Sequence, residues 1–112
     1  MTQTTVPGPV VSIASYRPKP GCAEALRALL DDHVDLLREE GLATARPRLL
    51  LAASDGALLE VFEWVSGAAI EAAHGNPRVM ERWEAITALC THVPLAELDE
   101  AKAPFAGFRP LG

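Results

Sequence analysis

The apolar positions along the chain alternate between strand-like runs and helical faces. Residues 10–16, Val10-Val-Ser-Ile-Ala-Ser-Tyr16, are β-branched and aromatic at the spacing of a strand, and Pro18-Lys-Pro-Gly21 stops it. From 22 to 40 the period changes. At about 100° per residue from Leu26, the side chains of Leu29, Leu30, Val34, Leu36 and Leu37 fall within about 80° of it. Arg27, Asp31, Asp35, Arg38 and Glu39 fall opposite, so 22–40 is predicted as one amphipathic helix with Gly41 as its stop. Arg48 to Ser54 is a second strand whose apolar residues do not alternate, which calls for cover on both faces. Asp55-Gly56 is a hairpin turn, both positions tolerating positive φ, and Leu58 to Val65 is the returning strand. Ser66 caps a helix over Gly67 to Ala73. Gly75-Asn76-Pro77 interrupts it, and Asn76 with Pro77 restarts a second piece in which Val79, Trp83, Ile86 and Cys90 share a face. Thr91 to Leu98 is the last strand, and Pro94 confines it to an edge.

The order β-α-β-β-α-β predicts an α+β, ferredoxin-like fold, a four-stranded antiparallel sheet with two helices on one face. A flexible arm over 1–9 precedes the domain at 10–98. A docking tail, 99–112, follows with Phe105 and Phe108. Helices on one side leave the other sheet face bare, and a second copy of the chain is the expected cover, giving a homodimer. With 112 residues, 49% hydrophobic but only 5% aromatic, the core is expected to be Leu, Val and Ala in one domain. Ten basic against fifteen acidic residues, a net charge of −5, argue against nucleic acid and against anionic membrane surfaces. No apolar run has the length of a membrane span. The N-terminus lacks the basic and apolar regions of a signal peptide, and two distant cysteines, Cys22 and Cys90, suit neither a disulfide scaffold nor zinc. A cytoplasmic location is therefore expected.

From Glu60 to Trp83 the chain carries a Glu-x-Trp strand end at Trp64, an Ala-His at His74 in the broken helix, Pro77, and the aromatic Trp83. This stretch resembles the antibiotic-biosynthesis-monooxygenase-like group of dimeric α/β barrels, and the first strand, Pro-Gly turn and first helix extend the similarity over roughly 10–98. The resemblance implies a dimeric α/β barrel with a pocket between helices and sheet. That superfamily includes cofactor-free oxygenases of aromatic polyketides, haem-degrading enzymes and dismutases, so it carries no single reaction.

His33 lies about 20° from the Leu26 direction, in the middle of an apolar helix face. Either it is a structural histidine bonded to a strand group, or it lines a pocket as a proton acceptor. His74 matches the group's Ala-His position and is read as pointing inward, as a second candidate base or as a cap of the broken helix. His92, at the start of the last strand, is assigned to solvent or a dimer contact at the opposite end of the domain. Trp64, Trp83 and Tyr16 are candidate substrate-binding residues, with core packing as the alternative. Glu60 and Glu63 fall on opposite faces of their strand and cannot pair; whichever is buried is expected to find Arg46, Arg48 or Arg78. No phosphate loop, nucleophile elbow, metal-binding histidine pair or nucleotide fingerprint occurs, so no cofactor and no metal are expected. Two functions follow. One is a cofactor-independent monooxygenase with His33 or His74 as base, acting on an aromatic or otherwise oxidisable small molecule. The other is a non-catalytic dimeric module that binds a hydrophobic ligand or serves structure only.

Overall fold

A computed structural model describes residues 8–111; most of the arm expected at 1–9 lies outside them. Strand β1 (Val10–Pro18) is followed by helices α1 (Ala23–Asp31) and α2 (His33–Glu39) and strands β2 (Leu49–Ala52) and β3 (Leu58–Trp64). Then come helices α3 (Gly67–Ala73) and α4 (Pro77–Leu89), strand β4 (Cys90–His92), two 3-10 turns (Leu95–Glu97 and Asp99–Lys102), and strand β5 (Arg109–Pro110). The strands form one open five-stranded antiparallel sheet in the order β4-β1-β3-β2-β5, an α+β architecture compatible with the ferredoxin-like arrangement. Among the described residues, no helix is long and apolar enough to cross a membrane.

Four local expectations change. The helix expected over 22–40 is two helices broken at Asp32. The carbonyl of Leu29, which a continuous helix would give to the amide of His33, accepts instead from Arg82 of α4 at 3.0 Å, and the same guanidinium nitrogen holds the Asp32 carboxylate at 2.6 Å. A tertiary contact therefore occupies the carbonyl at the break, and no Gly or Pro marks it. The hairpin is a three-residue loop closed by the Ala53 amide on the Ala57 carbonyl, and only Gly56, at φ 92°, takes the left-handed conformation. Asp55 instead accepts from the Ala57 amide. The strand expected over Thr91 to Leu98 stops at His92, because Pro94 leads into a 3-10 turn. Finally, the tail returns to pair as β5, so β2 is not an edge. The caps fall where expected: Ser66 Oγ accepts from the Ala69 amide, Asn76 Oδ1 from Arg78 and Val79.

Register divides the sheet into two faces. Ser12, Ala14, Tyr16, Leu58, Glu60, Phe62, Trp64 and Leu50 share the face covered by the helices. There Leu26, Leu30 and Ile86 pack around Tyr16, Leu50 and Leu58, while Val34, Leu37, Ala73 and Val79 pack around Phe62 and Trp64. The opposite face is covered at one end only. Leu95 and Leu98, around the first 3-10 turn, and Phe108 from the tail pack over Leu51 and Leu59. Val11, Ile13 and Leu49 remain about half exposed there (54%, 47% and 53%). Phe108 thus docks on its own chain, whereas Phe105, expected to dock as well, is 95% exposed.

Candidate functional site

On the helix side, α4 stands away from β1 and leaves a cavity of about 730 Å³. Its floor is the sheet face at Ser12, Ala14, Phe62 and Trp64. Its opposite wall is the α4 row Met80, Trp83, Glu84 and Thr87, with Ile70 at one side. The wall is mostly apolar and carries no Lys or Arg. A space of this size suits a ligand of several rings.

At one side the cavity meets a buried polar chain. Glu60 sits in the middle of β3 with no exposure, and His33 is 2% exposed. Glu60 Oε1 is 2.9 Å from His33 Nδ1 and accepts from the Tyr16 hydroxyl at 3.2 Å. The indole N–H of Trp83 donates to His33 Nε2 at 2.9 Å. Four side chains from β1, α2, β3 and α4 therefore form one connected network, the usual requirement for polar groups buried in an apolar core. Glu60 Oε2 is buried without a partner. Burial, then the charge of Glu60 and the hydrogen bond to it, pushes the Tyr16 phenol well above its ordinary range, so it stays a donor. Phe62 meets the edge of the His33 ring at 5.9 Å and leans on Trp64 at 5.2 Å, whose indole N–H donates to Ser12 Oγ.

His33, Trp64, Trp83 and Tyr16 thus lie around one cavity. His74 does not join them. It is exposed rather than inward-pointing; its Nδ1 is 2.9 Å from the Ile70 carbonyl, as a helix-end cap, and its ring stands edge-on to Trp83 at 5.1 Å. His92, assigned to solvent or a dimer contact at the far end, is indeed exposed but also lines the cavity; β4 pairs it with Tyr16, its ring lies 5.6 Å from the Tyr16 ring, and its Nε2 is 3.1 Å from Thr87 Oγ1. Glu60 and Glu63 do face opposite ways, and Arg46 binds Glu63 at 3.0 Å. The buried carboxylate, however, is held by His33 and Tyr16 and by no arginine. The period-two pattern of β3 carried this signal, since it sets Glu60 on the face of Phe62 and Trp64, toward the helix that bears His33. Among the described residues, no group of three or more His, Cys, Asp or Glu side chains could hold a metal ion.

No protein-family model matches the chain, and no curated protein matches it. Two solved structures do. SO0527 from Shewanella oneidensis is 21% identical over 79% of this chain and 86% of its own, with a TM-score of 0.60, which speaks for the fold alone. Rv0793 from Mycobacterium tuberculosis superposes with the same TM-score of 0.60 and is 32% identical over 83% of this chain and 98% of its own. At that identity, and over almost the whole of the related chain, this protein belongs to the same family as Rv0793.

Proposed function

We propose that this protein binds an aromatic or otherwise oxidisable small molecule in the cavity between α4 and the sheet, and oxygenates it without a bound cofactor, as the cofactor-free members of the antibiotic-biosynthesis-monooxygenase-like group do. One observation carries the reading: a cavity of about 730 Å³ with apolar and aromatic walls meets a single buried polar chain, Glu60–His33–Trp83. A mostly apolar cavity of this kind orients a hydroxyaryl substrate, and the bound substrate displaces water from beside its reactive carbon. Loss of a proton to a side-chain base activates the ring toward dioxygen. One oxygen atom enters as a ring carbonyl, and the other leaves as water with two hydrogens of the substrate. Two histidines line the cavity, His33 and His92, and His33 is the base of this reading because Glu60 backs its ring; His74 is outside the cavity.

The assembly that goes with this reading is a dimeric ferredoxin-like barrel closed through the open sheet face. Val11, Ile13 and Leu49 support it, since they form an apolar patch that the tail leaves bare. A reducing cytoplasm suits the two free thiols.

A second reading, binding without turnover, draws support from His33 itself: both of its ring nitrogens are already engaged. Incubation with a panel of hydroxylated polycyclic aromatics separates the two. Oxygen uptake and a quinone product, lost in His33→Leu, support the oxygenase. Stoichiometric binding with no oxygen uptake supports the binding module.

A further inference from the structure

The hydrogen bonds around His33 leave one arrangement of protons. The Trp83 indole has a donor and no acceptor, so the Nε2 it meets at 2.9 Å carries a lone pair. The one ring proton of a neutral His33 then sits on Nδ1 and points at Glu60 Oε1, 2.9 Å away. An imidazolium would set an N–H against the N–H of Trp83. Glu60 is wholly buried, and it accepts from Tyr16 on the same oxygen. The two donors, Tyr16 and His33, are supplied by different elements, so the carboxylate is oriented from both sides.

We propose that Glu60 is a positioning residue of this cavity: it holds His33 as the Nδ1–H tautomer, so that the lone pair on Nε2 is the acceptor offered to a ligand, a place that the Trp83 indole fills at rest. A carboxylate behind an imidazole fixes ring orientation and strengthens the far nitrogen as an acceptor, as in histidines that a carboxylate orients toward a metal or a nucleophile. Trp83 is part-buried, packs against both helix-side clusters and lines the cavity, so the proposal requires its indole to turn within that space. No Lys or Arg stands in the wall to draw an anion. The ligand group that replaces the indole is therefore a neutral donor, a hydroxyl or an N–H. The inference rests on the cavity being the ligand site.

Two measurements on the full chain test it. In the first, nitrogen-15 shifts of labelled histidine report the His33 tautomer in the protein, in Trp83→Phe, and in Trp83→Phe combined with Glu60→Gln. We expect Nδ1–H to persist in Trp83→Phe and the Nε2–H form to appear once the amide, which can donate as well as accept, replaces the carboxylate. Appearance of Nε2–H in Trp83→Phe alone would assign the tautomer to the indole and overturn the proposal, as would a double variant that keeps Nδ1–H. In the second, calorimetry compares 2-naphthol with 2-methoxynaphthalene, which lacks the donor. We expect 2-naphthol to bind about tenfold tighter, and Glu60→Gln to shrink that ratio. Equal affinities overturn the role of Nε2 and leave the cavity reading standing; no binding of either compound overturns both. If Glu60→Gln does not fold, the wild-type ratio and the Trp83→Phe spectrum still decide.

Discussion

Replacing His33 by Leu tests the buried network through stability. His33 supplies one of the two donors to Glu60 and the only acceptor recorded for the Trp83 indole. With leucine in its place, Glu60 keeps Tyr16 alone at 3.2 Å, and its second oxygen is already unpartnered. Removing one partner of a buried ion costs about 3–5 kcal/mol because the ion is left uncompensated, and here the ion is the Glu60 carboxylate and the lost partner a neutral N–H donor. The lower end, about 3 kcal/mol, applies because Tyr16 stays and because the part-buried indole can turn to water in the cavity. A domain of this length holds roughly 6–15 kcal/mol, so the variant folds. Adding Glu60→Leu removes the stranded carboxylate and leaves only the Tyr16 hydroxyl unpaired, so the double variant should lie only about 1 kcal/mol below wild type. The double variant is then about 2 kcal/mol more stable than His33→Leu, and the coupling between the two sites exceeds that figure by whatever Glu60→Leu costs alone. Urea unfolding at one fixed protein concentration, followed by far-ultraviolet circular dichroism, measures this; the concentration is fixed because association would add to the apparent stability. With a slope near 2 kcal/mol/M, the midpoint of His33→Leu falls by about 1.5 M and that of the double variant by about 0.5 M. A double variant less stable than His33→Leu, or a single variant within about 1 kcal/mol of wild type, would refute the claim that the carboxylate depends on the ring.

Further expectations follow from other parts of the molecule. Because the Tyr16 phenol titrates higher in the folded chain than its ordinary 10.0, the folded state keeps a proton that the unfolded state releases. Its contribution is therefore full below pH 10 and lost as pH rises beyond it, and Tyr16→Phe should flatten that alkaline fall in melting temperature. The Asp55 carboxyl is held low by the Ala57 amide first and by Arg17 second, so its contribution is present above the usual carboxylate range and lost on acidification. Asp55→Ala should reduce the acid sensitivity of the hairpin, seen by amide exchange. Under the proposed assembly the wild type should sediment as a dimer and Ile13→Lys, on the open sheet face, as a folded monomer; a wild-type monomer would refute the dimer, and an unchanged dimer in the variant would refute this interface. Phe108→Ala should cost about 1–3 kcal/mol by urea unfolding, whereas Phe105→Ala, at a side chain 95% exposed, should cost nearly nothing.

The first three strands, the caps at Ser66 and Asn76, the Gly41 stop and the break at Pro77 were legible in the chain because each depends on neighbours within a few residues. Periodicity also carried the inward placement of His33 and the opposed faces of Glu60 and Glu63, since both follow from helix and strand geometry alone. The tertiary structure decided what those inward groups meet. The break of the first helix at Asp32 goes with Arg82, fifty positions away, and the partner of Glu60 is a histidine on another element rather than an arginine. Which histidines reach the cavity was decided in the same way. His74 turns out to cap its helix, while the short β4, halted by Pro94, pairs His92 against Tyr16 and sets it in the cavity wall. A local pattern determines which way a side chain points; only the packing of separate elements determines what stands at the other end of its hydrogen bond.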